Sequence, residues 1–483
     1  MNAPDGGAHP GRAASPDGGP HPGKAASPDG GARPGDDTSP HREVMIDGER
    51  LWADLERVST FGATPAGGLH RLAAGPDDAD ARAWLRERAS EAGAGARVDR
   101  VGNMFLRRPG GGSDVGATTG RDPTAGTGPA AGRDVADPRA ILVGSHLDSQ
   151  PSAGRYDGVY GVVAGLAVLD ALERAGHVTR HPVELVDWTN EEGARFAPMM
   201  GGSSVYAGRL DAGAALASRS RDGLDVPGAP EGQTLAEALA VTGWAGSDVV
   251  TPDEHAAYLE AHIEQGPLLE AEGLRVATVT GVQAMCWLEV ELTGSPAHAG
   301  TFPMESRRDA LVAAAQVVTD VHRIGLARPG VGRATVGRLV VGPGSPNVVP
   351  GSASLTVELR HPDRTELEAM VAEVREAVDR ATRGGVVAEV REISRAEPVT
   401  FDPLVTGAVA RAAAELGHPP RELVSGAGHD AVQVASRVPT GMLFIPCVGG
   451  VSHAEEEAIT PEWALVGAEV LLRVVLDLDA RLP

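Results

Sequence analysis

Lysine is almost missing from this sequence: of its 43 basic residues, only Lys24 is not arginine. A Schiff-base lysine, or the lysine of a phosphate-binding loop, would have to be Lys24, which lies in a low-complexity stretch. Cysteine is nearly as scarce. Cys286 and Cys447 stand far apart, which excludes a disulfide framework and a thiolate zinc site and suits a reducing compartment. No run approaches the roughly 18 apolar residues of a membrane span, and the first residues hold no apolar stretch of the secretory kind. A cytoplasmic protein that engages no membrane is the expectation. Basic charge is short too: 66 acidic residues give a net charge of −23, which argues against a nucleic-acid partner.

What is present begins with size. The 483 residues, 42% of them apolar, allow two or three domains with a sizeable core. Residues 1–42 form a Pro/Gly-rich repeat (PDGGAHPGRAAS, PDGGPHPGKAAS), too poor in large apolar side chains to offset its ordering entropy, and are expected to be disordered. A second loose stretch, 110–137, reads as a long surface loop.

Elsewhere strand-like and helix-like segments alternate. Short apolar runs at 140–143, 183–188, 258–263 and 442–447 read as strands, and 158–175 as a buried helix capped by Asp157. This predicts an α/β fold with a mainly parallel sheet flanked by helices. The middle of the chain has a different rhythm. Strands at 287–292, 334–341, 354–359 and 386–393 with helices at 305–324 and 365–382 give the order βαββαβ, a ferredoxin-like α+β unit. The expected organisation is a discontinuous catalytic domain, 43–281 and 398–483, with 282–397 inserted.

Histidines and carboxylates follow the apolar runs. His146 and Asp148 come after the first, Glu191 and Glu192 after the second, His262 ends the third, and His453 follows the fourth. In an open α/β sheet such strand ends share one edge, where sites form. His146, Asp157, Glu192, His262 and His453 suit a divalent transition metal better than calcium. Five ligands are too many for one structural zinc, and two ions sharing a bridging Asp157 fit the count. Asp148 is placed to accept the other ring N–H of His146, and Glu191 to move the proton of an activated water.

These residues resemble the amidohydrolases of the M20 metallopeptidase superfamily, in the branch of N-carbamoyl-L-amino acid hydrolases, allantoate amidohydrolases and β-ureidopropionases. The resemblance rests on GSHLDS (144–149), GRYDGVYGV (154–162), NEEGARF (190–196), HIEQGP (262–267), AHAGTFPM (297–304), PNVVPG (346–351), SGAGHDA (425–431) and GVSH (450–453). It implies two divalent ions (zinc, manganese, cobalt or nickel), one held by His146, Asp157 and His262 and the other by Asp157, Glu192 and His453, with Glu191 as general base. It also implies that the inserted unit serves as lid and dimerisation domain of a homodimer. From that unit His298 would polarise the scissile carbonyl, in its own chain or across the dimer. Asn347 and Arg360 would bind the substrate's carboxylate, with Gln265 beside the metals and 426–430, including Gly426 and Gly428, lining the pocket. An arginine ending an apolar alternation can meet a carboxylate with two parallel hydrogen bonds, which supports Arg360 independently. The implied reaction is hydrolysis of the ureido C–N bond of a small molecule, an N-carbamoyl-L-amino acid first, allantoate or N-carbamoyl-β-alanine as alternatives. A metal-free relative serving only in binding would have lost ligands, and here all five stand with the base.

Overall fold

The structure is a computed structural model and describes residues 44–111 and 139–483; the expectations for the repeat tail and for nearly all of the 110–137 loop lie outside the described residues. All four apolar runs form strands. Ala140–His146, Val183–Trp188 and Thr440–Ile445 are buried at every position, as is His255–Ile263. Continuous burial is what parallel strands covered on both faces require. The four lie side by side and parallel at the centre of a nine-stranded sheet, in the spatial order 183–188, 140–146, 255–263, 440–445. Antiparallel strands extend it on both sides, with Met104–Arg108 beside 183–188 and Ala277–Val282 beside 440–445.

The helix Val159–Arg174 covers the centre of one face, thirteen of its residues buried. It lies close on the sheet because Gly161 has no side chain: a Cβ there would stand 2.2 Å from the Ala261 carbonyl oxygen. Its start corrects the expected cap. Gly158 is the N-cap, with no side-chain hydrogen bond, and the Asp157 carboxylate is directed elsewhere. The C-terminal helix Pro461–Arg481, capped by the Thr460 hydroxyl, packs beside it.

The inserted segment builds its own core. Ala284–Thr293 and Ser352–His361 alternate buried and less buried positions along their length, the pattern of a sheet with one covered face. The strand order 387–396, 284–293, 352–361, 333–342 is antiparallel throughout, and two helices, Ala310–Leu326 and Arg364–Ala381, lie against it. Leu288, Val290, Leu355, Val357, Val317, Val321, Met370 and Val374 pack into a cluster separate from those of the larger sheet. The first of these helices is shorter than expected. A turn at Met304–Ser306 is followed by a break, and Asp309 caps a new start by accepting the N–H groups of Leu311 and Val312. Arg307, in the break, donates to the carbonyls of Ala299 and Phe302 and ties down the His298 loop. Among the described residues no helix is long and apolar enough to cross a membrane, and both cysteines are free and buried.

Candidate active site

Because the four central strands are parallel and adjacent, their C-terminal ends share one edge of the sheet. His146 closes the first strand and His262 is the penultimate residue of the third. Glu191 and Glu192 follow the second on a turn that begins at Asn190, whose φ is 58°. The Asn190 amide donates to the carbonyls of Phe196 and Pro198, which holds the turn in a conformation non-glycine residues rarely adopt. Gln265 and His453 also have φ of 55°. Three strained residues around one site is the distribution expected where geometry serves function.

Asp157 is the hub. Its Oδ1 lies 3.1 Å from His262 Nε2 and its Oδ2 lies 3.1 Å from His453 Nε2. Glu192 Oε2 is 3.6 Å from His453 Nε2, and Glu191 Oε2 is 3.6 Å from His146 Nε2. Ligand atoms of His146, Asp157 and His262 lie within 4.8 Å of one another, and so do those of Asp157, Glu192 and His453. The structure therefore brings all five expected ligands together in two overlapping groups.

These groups fit divalent cations. His146 Nδ1 is 2.9 Å from the carbonyl oxygen of Asp148 and His262 Nδ1 is 2.9 Å from that of Ile263, so each Nδ1 carries the proton and each Nε2 its lone pair. His262 Nε2 accepts the Gly158 N–H at 3.1 Å while also facing Asp157 Oδ1. With its proton on Nδ1, that nitrogen faces a carboxylate oxygen lone pair to lone pair, and a cation between the two removes the repulsion. Oε1 of Glu191, of Glu192 and of Gln265 are buried without any hydrogen-bond partner among the described residues. Burial, with the charges of Asp430, Glu192, Asp148 and Asp157 added, pushes the Glu191 carboxyl well above its ordinary range. Burial and Asp157 raise Glu192 to about 7. Asp157 behaves oppositely: against the effect of burial, the imidazoles of His262 and His453 beside it hold it well below the usual carboxylate range. Packed acceptors of one sign are stabilised by positive charge among them.

Asp148 departs from its expected part. The Asp148 carbonyl takes the Nδ1–H of His146, and its carboxylate stands 3.8 Å from that nitrogen. The carboxylate instead accepts the main-chain N–H groups of Glu191 and Glu192.

A cavity of about 140 Å³ opens over this cluster, lined by the five expected ligands, Glu191, Gln265, Arg360 and Gly428, and also by Met199, Ala427 and His429, but not by Gly426. Arg360, from the inserted sheet, reaches it with its guanidinium held by Glu358 and by the carbonyl of Gly426. Gln265 donates to Asp157 Oδ2 at 2.8 Å. His298 and Asn347 are not brought there. His298 lies in a two-stranded ribbon, Ala297–His298 with Val348–Val349, and Asn347 directly precedes its second strand; both are exposed and outside the cavity of their own chain.

Two participants, Gln150 and Glu457, were not singled out from sequence, and His429 was named only within the 426–430 lining. Gln150 donates to Glu192 Oε2 at 2.8 Å, and the His429 ring lies 4.5 Å from that of His262. Glu457 accepts the main-chain N–H of Asp157 at 3.0 Å. Gln150 and His429 lie in or beside GSHLDS and SGAGHDA and were within reach of a motif reading. Glu457 is the last of three consecutive glutamates, and nothing in that run distinguishes it.

Fold and site together describe a metal-dependent hydrolase. More narrowly, the chain belongs to peptidase family M20/M25/M40, whose model matches residues 142–477. Enzymes of this family are metal-dependent. The chain is 38% identical over 439 residues to an N-carbamoyl-L-amino-acid amidohydrolase of Rhizobium meliloti, covering 91% of this chain and 98% of that one. It is 31% identical over 436 residues to a ureidoglycolate hydrolase of Arabidopsis thaliana, covering 88% and 85%. The crystal structure of an amidase of the hydantoinase/carbamoylase family from Burkholderia multivorans superposes with a TM-score of 0.80 at 43% identity, covering 90% and 98%.

Proposed function

We propose that this protein hydrolyses N-carbamoyl-L-amino acids to the amino acid, carbon dioxide and ammonia, using two divalent ions, zinc, manganese, cobalt or nickel. The observation that carries this reading is the meeting of Arg360 with Glu191 and the five ligands around one small cavity. A guanidinium there fits a substrate bearing a carboxylate, and the ligand cluster fits a polarised carbonyl. The similarity to N-carbamoyl-L-amino-acid amidohydrolases supports the same substrate class. The ureidoglycolate hydrolase relative favours a second reading, a ureido substrate of purine breakdown such as ureidoglycolate or allantoate.

His146, Asp157 and His262 would hold one ion, and Asp157, Glu192 and His453 the other. When bound, the ions supply Lewis acidity and the positive charge that favours hydroxide over water at neutral pH. Glu191 takes the proton of the attacking water and delivers it to the leaving nitrogen. Gln265, through its hydrogen bond to Asp157, keeps that carboxylate oriented. Arg360 fixes the carboxylate end of the substrate, and its own bonds to Glu358 and Gly426 limit the side-chain entropy lost on binding.

The inserted unit is proposed to join two chains into a homodimer in the cytoplasm. In that arrangement His298 and Asn347, outside the cavity of their own chain, serve the cavity of the neighbouring subunit, where the imidazole supports the developing oxyanion. Ammonia release from N-carbamoyl-L-amino acids tests the reading. Glu191→Gln should lose activity by orders of magnitude while keeping its metal, and unchanged turnover in that variant would overturn the assignment.

A further inference from the structure

His453 is the least supported of the three histidines. The Nδ1 atoms of His146 and His262 are each fixed by a carbonyl oxygen. Among the described residues no carbonyl does this for His453, whose side chain is 49% exposed. Its backbone is strained as well, with φ of 55°. Something else must hold this imidazole toward Asp157.

We infer that Glu457 is the positioning residue that locks the Asp157 turn to the His453 loop, and so sets the second metal position. The inference rests on the metal-pair reading above. Glu457 is 2% exposed. Its Oε1 accepts two consecutive main-chain N–H groups, those of Tyr156 at 2.9 Å and Asp157 at 3.0 Å. Its Oε2 lies 3.0 Å from the hydroxyl of Ser452, the residue before His453. The same hydroxyl lies 3.0 Å from Asp157 Oδ2.

One carboxylate thus spans both ligand segments, and the Ser452 hydroxyl bridges it back to the metal-facing carboxylate. The 154–157 turn is shaped around it: a Cβ on Gly154 would stand 2.0 Å from Glu457 Cδ. The main chain of Glu457 is itself fixed, its N–H donating to the Ala454 carbonyl. Without Glu457, two buried N–H groups lose their acceptor and the His453 loop loses its tie to Asp157. The ion held by Asp157, Glu192 and His453 then loses its preformed site, whereas His146 and His262 keep their own carbonyl supports.

The test is a titration of the chelator-treated full-length protein with Co²⁺, followed by visible absorption and calorimetry. The wild type should take up two ions per chain. Glu457→Ala should take up one normally and the second at least about tenfold more weakly. Glu457→Gln should restore the second ion, because its amide oxygen accepts the same N–H groups and its NH₂ donates to Ser452. If Glu457→Ala fails to fold, Ser452→Ala decides, since it removes the hydroxyl that joins Glu457 and Asp157 to the His453 loop while leaving both Glu457 Oε1 bonds in place, and it should weaken the same ion. Two ions at wild-type affinity in Glu457→Ala, or in Ser452→Ala where that variant decides, would overturn the inference. So would Glu457→Gln as weak as Glu457→Ala, since charge rather than connection would then matter. The readout is metal uptake, so failure to hydrolyse N-carbamoyl-L-amino acids would count against the substrate reading alone.

Discussion

The carboxylate of Asp148 accepts the main-chain N–H of Glu191 at 3.0 Å and of Glu192 at 3.2 Å. One buried side chain therefore fixes the backbone from which the proposed base and a proposed ligand diverge. Removing it leaves two buried donors unsatisfied beside the reacting centre. Asp148→Ala should lower kcat/KM about 10- to 100-fold, the range for outer residues of metal sites. Asp148→Asn, which keeps one acceptor oxygen, should lose less. Steady-state kinetics with metal content measured in parallel distinguishes the two.

Gly158 stands where no side chain fits. Its φ is 66°, and a Cβ would lie 2.2 Å from His146 Nε2, on the metal-facing side of that ring. Gly158→Ala should displace His146 and weaken the ion shared by His146, Asp157 and His262. Strain of this kind costs on the order of 1–3 kcal/mol, so a lower melting temperature should accompany reduced metal uptake.

Arg360 is expected to act in binding rather than in bond cleavage. Loss of a charge-assisted hydrogen bond costs about 1.5–3 kcal/mol, so Arg360→Ala should raise KM roughly 10- to 100-fold and change kcat less. Arg360→Lys should not restore the wild-type value, because an ammonium cannot reproduce the planar fork. A substrate whose carboxylate is replaced by a primary amide should show little difference between wild type and variants.

Stability of the metal-free protein should fall as pH rises from 5 to 8. Burial raises the carboxyls of Asp99 and Asp187 to about 6 and those of Glu192 and Glu457 to about 7. The folded state then holds more protons than the unfolded chain between the ordinary carboxylate range and pH 7. Stability is therefore fully present below that range and declines through the window. Added Mn²⁺ or Zn²⁺ should raise the melting temperature most at the upper end of the window. Binding at 100 times Kd contributes about 2.7 kcal/mol per site. Calorimetric melts at several pH values, with and without metal, check both parts.

The cluster of candidate ligands was legible in sequence because its members end, or lie beyond, segments whose burial is written in their composition. The run 183–188 is apolar enough to be read as a strand, and the residues beyond it must lie at that strand's end. The inserted unit was legible for a related reason: 284–293 and 352–361 alternate, and the helices carry apolar faces. What escaped depends on contacts between distant segments, which no period records. Glu457 meets Tyr156 and Asp157 across about 300 residues. Asp148 offers both a carbonyl and a carboxylate to its surroundings, and its spacing from His146 does not say which one turns inward. Asp157 read both as the helix's cap and as a shared ligand, and only the cap part fails, since its carboxylate faces His262 and His453. The resemblance named His298 and Asn347 without saying which chain's cavity they serve, and the fold sets them in and beside an exposed ribbon outside their own.

The most direct test of the central claim is a comparison of ammonia release across N-carbamoyl-L-amino acids, N-carbamoyl-β-alanine, allantoate and ureidoglycolate. It should use metal-loaded protein, with a chelated sample and Glu191→Gln as controls. The account predicts the highest kcat/KM on an N-carbamoyl-L-amino acid, with turnover lost on chelation and in Glu191→Gln. Faster turnover of allantoate or ureidoglycolate, or full activity in the metal-stripped protein, would contradict it.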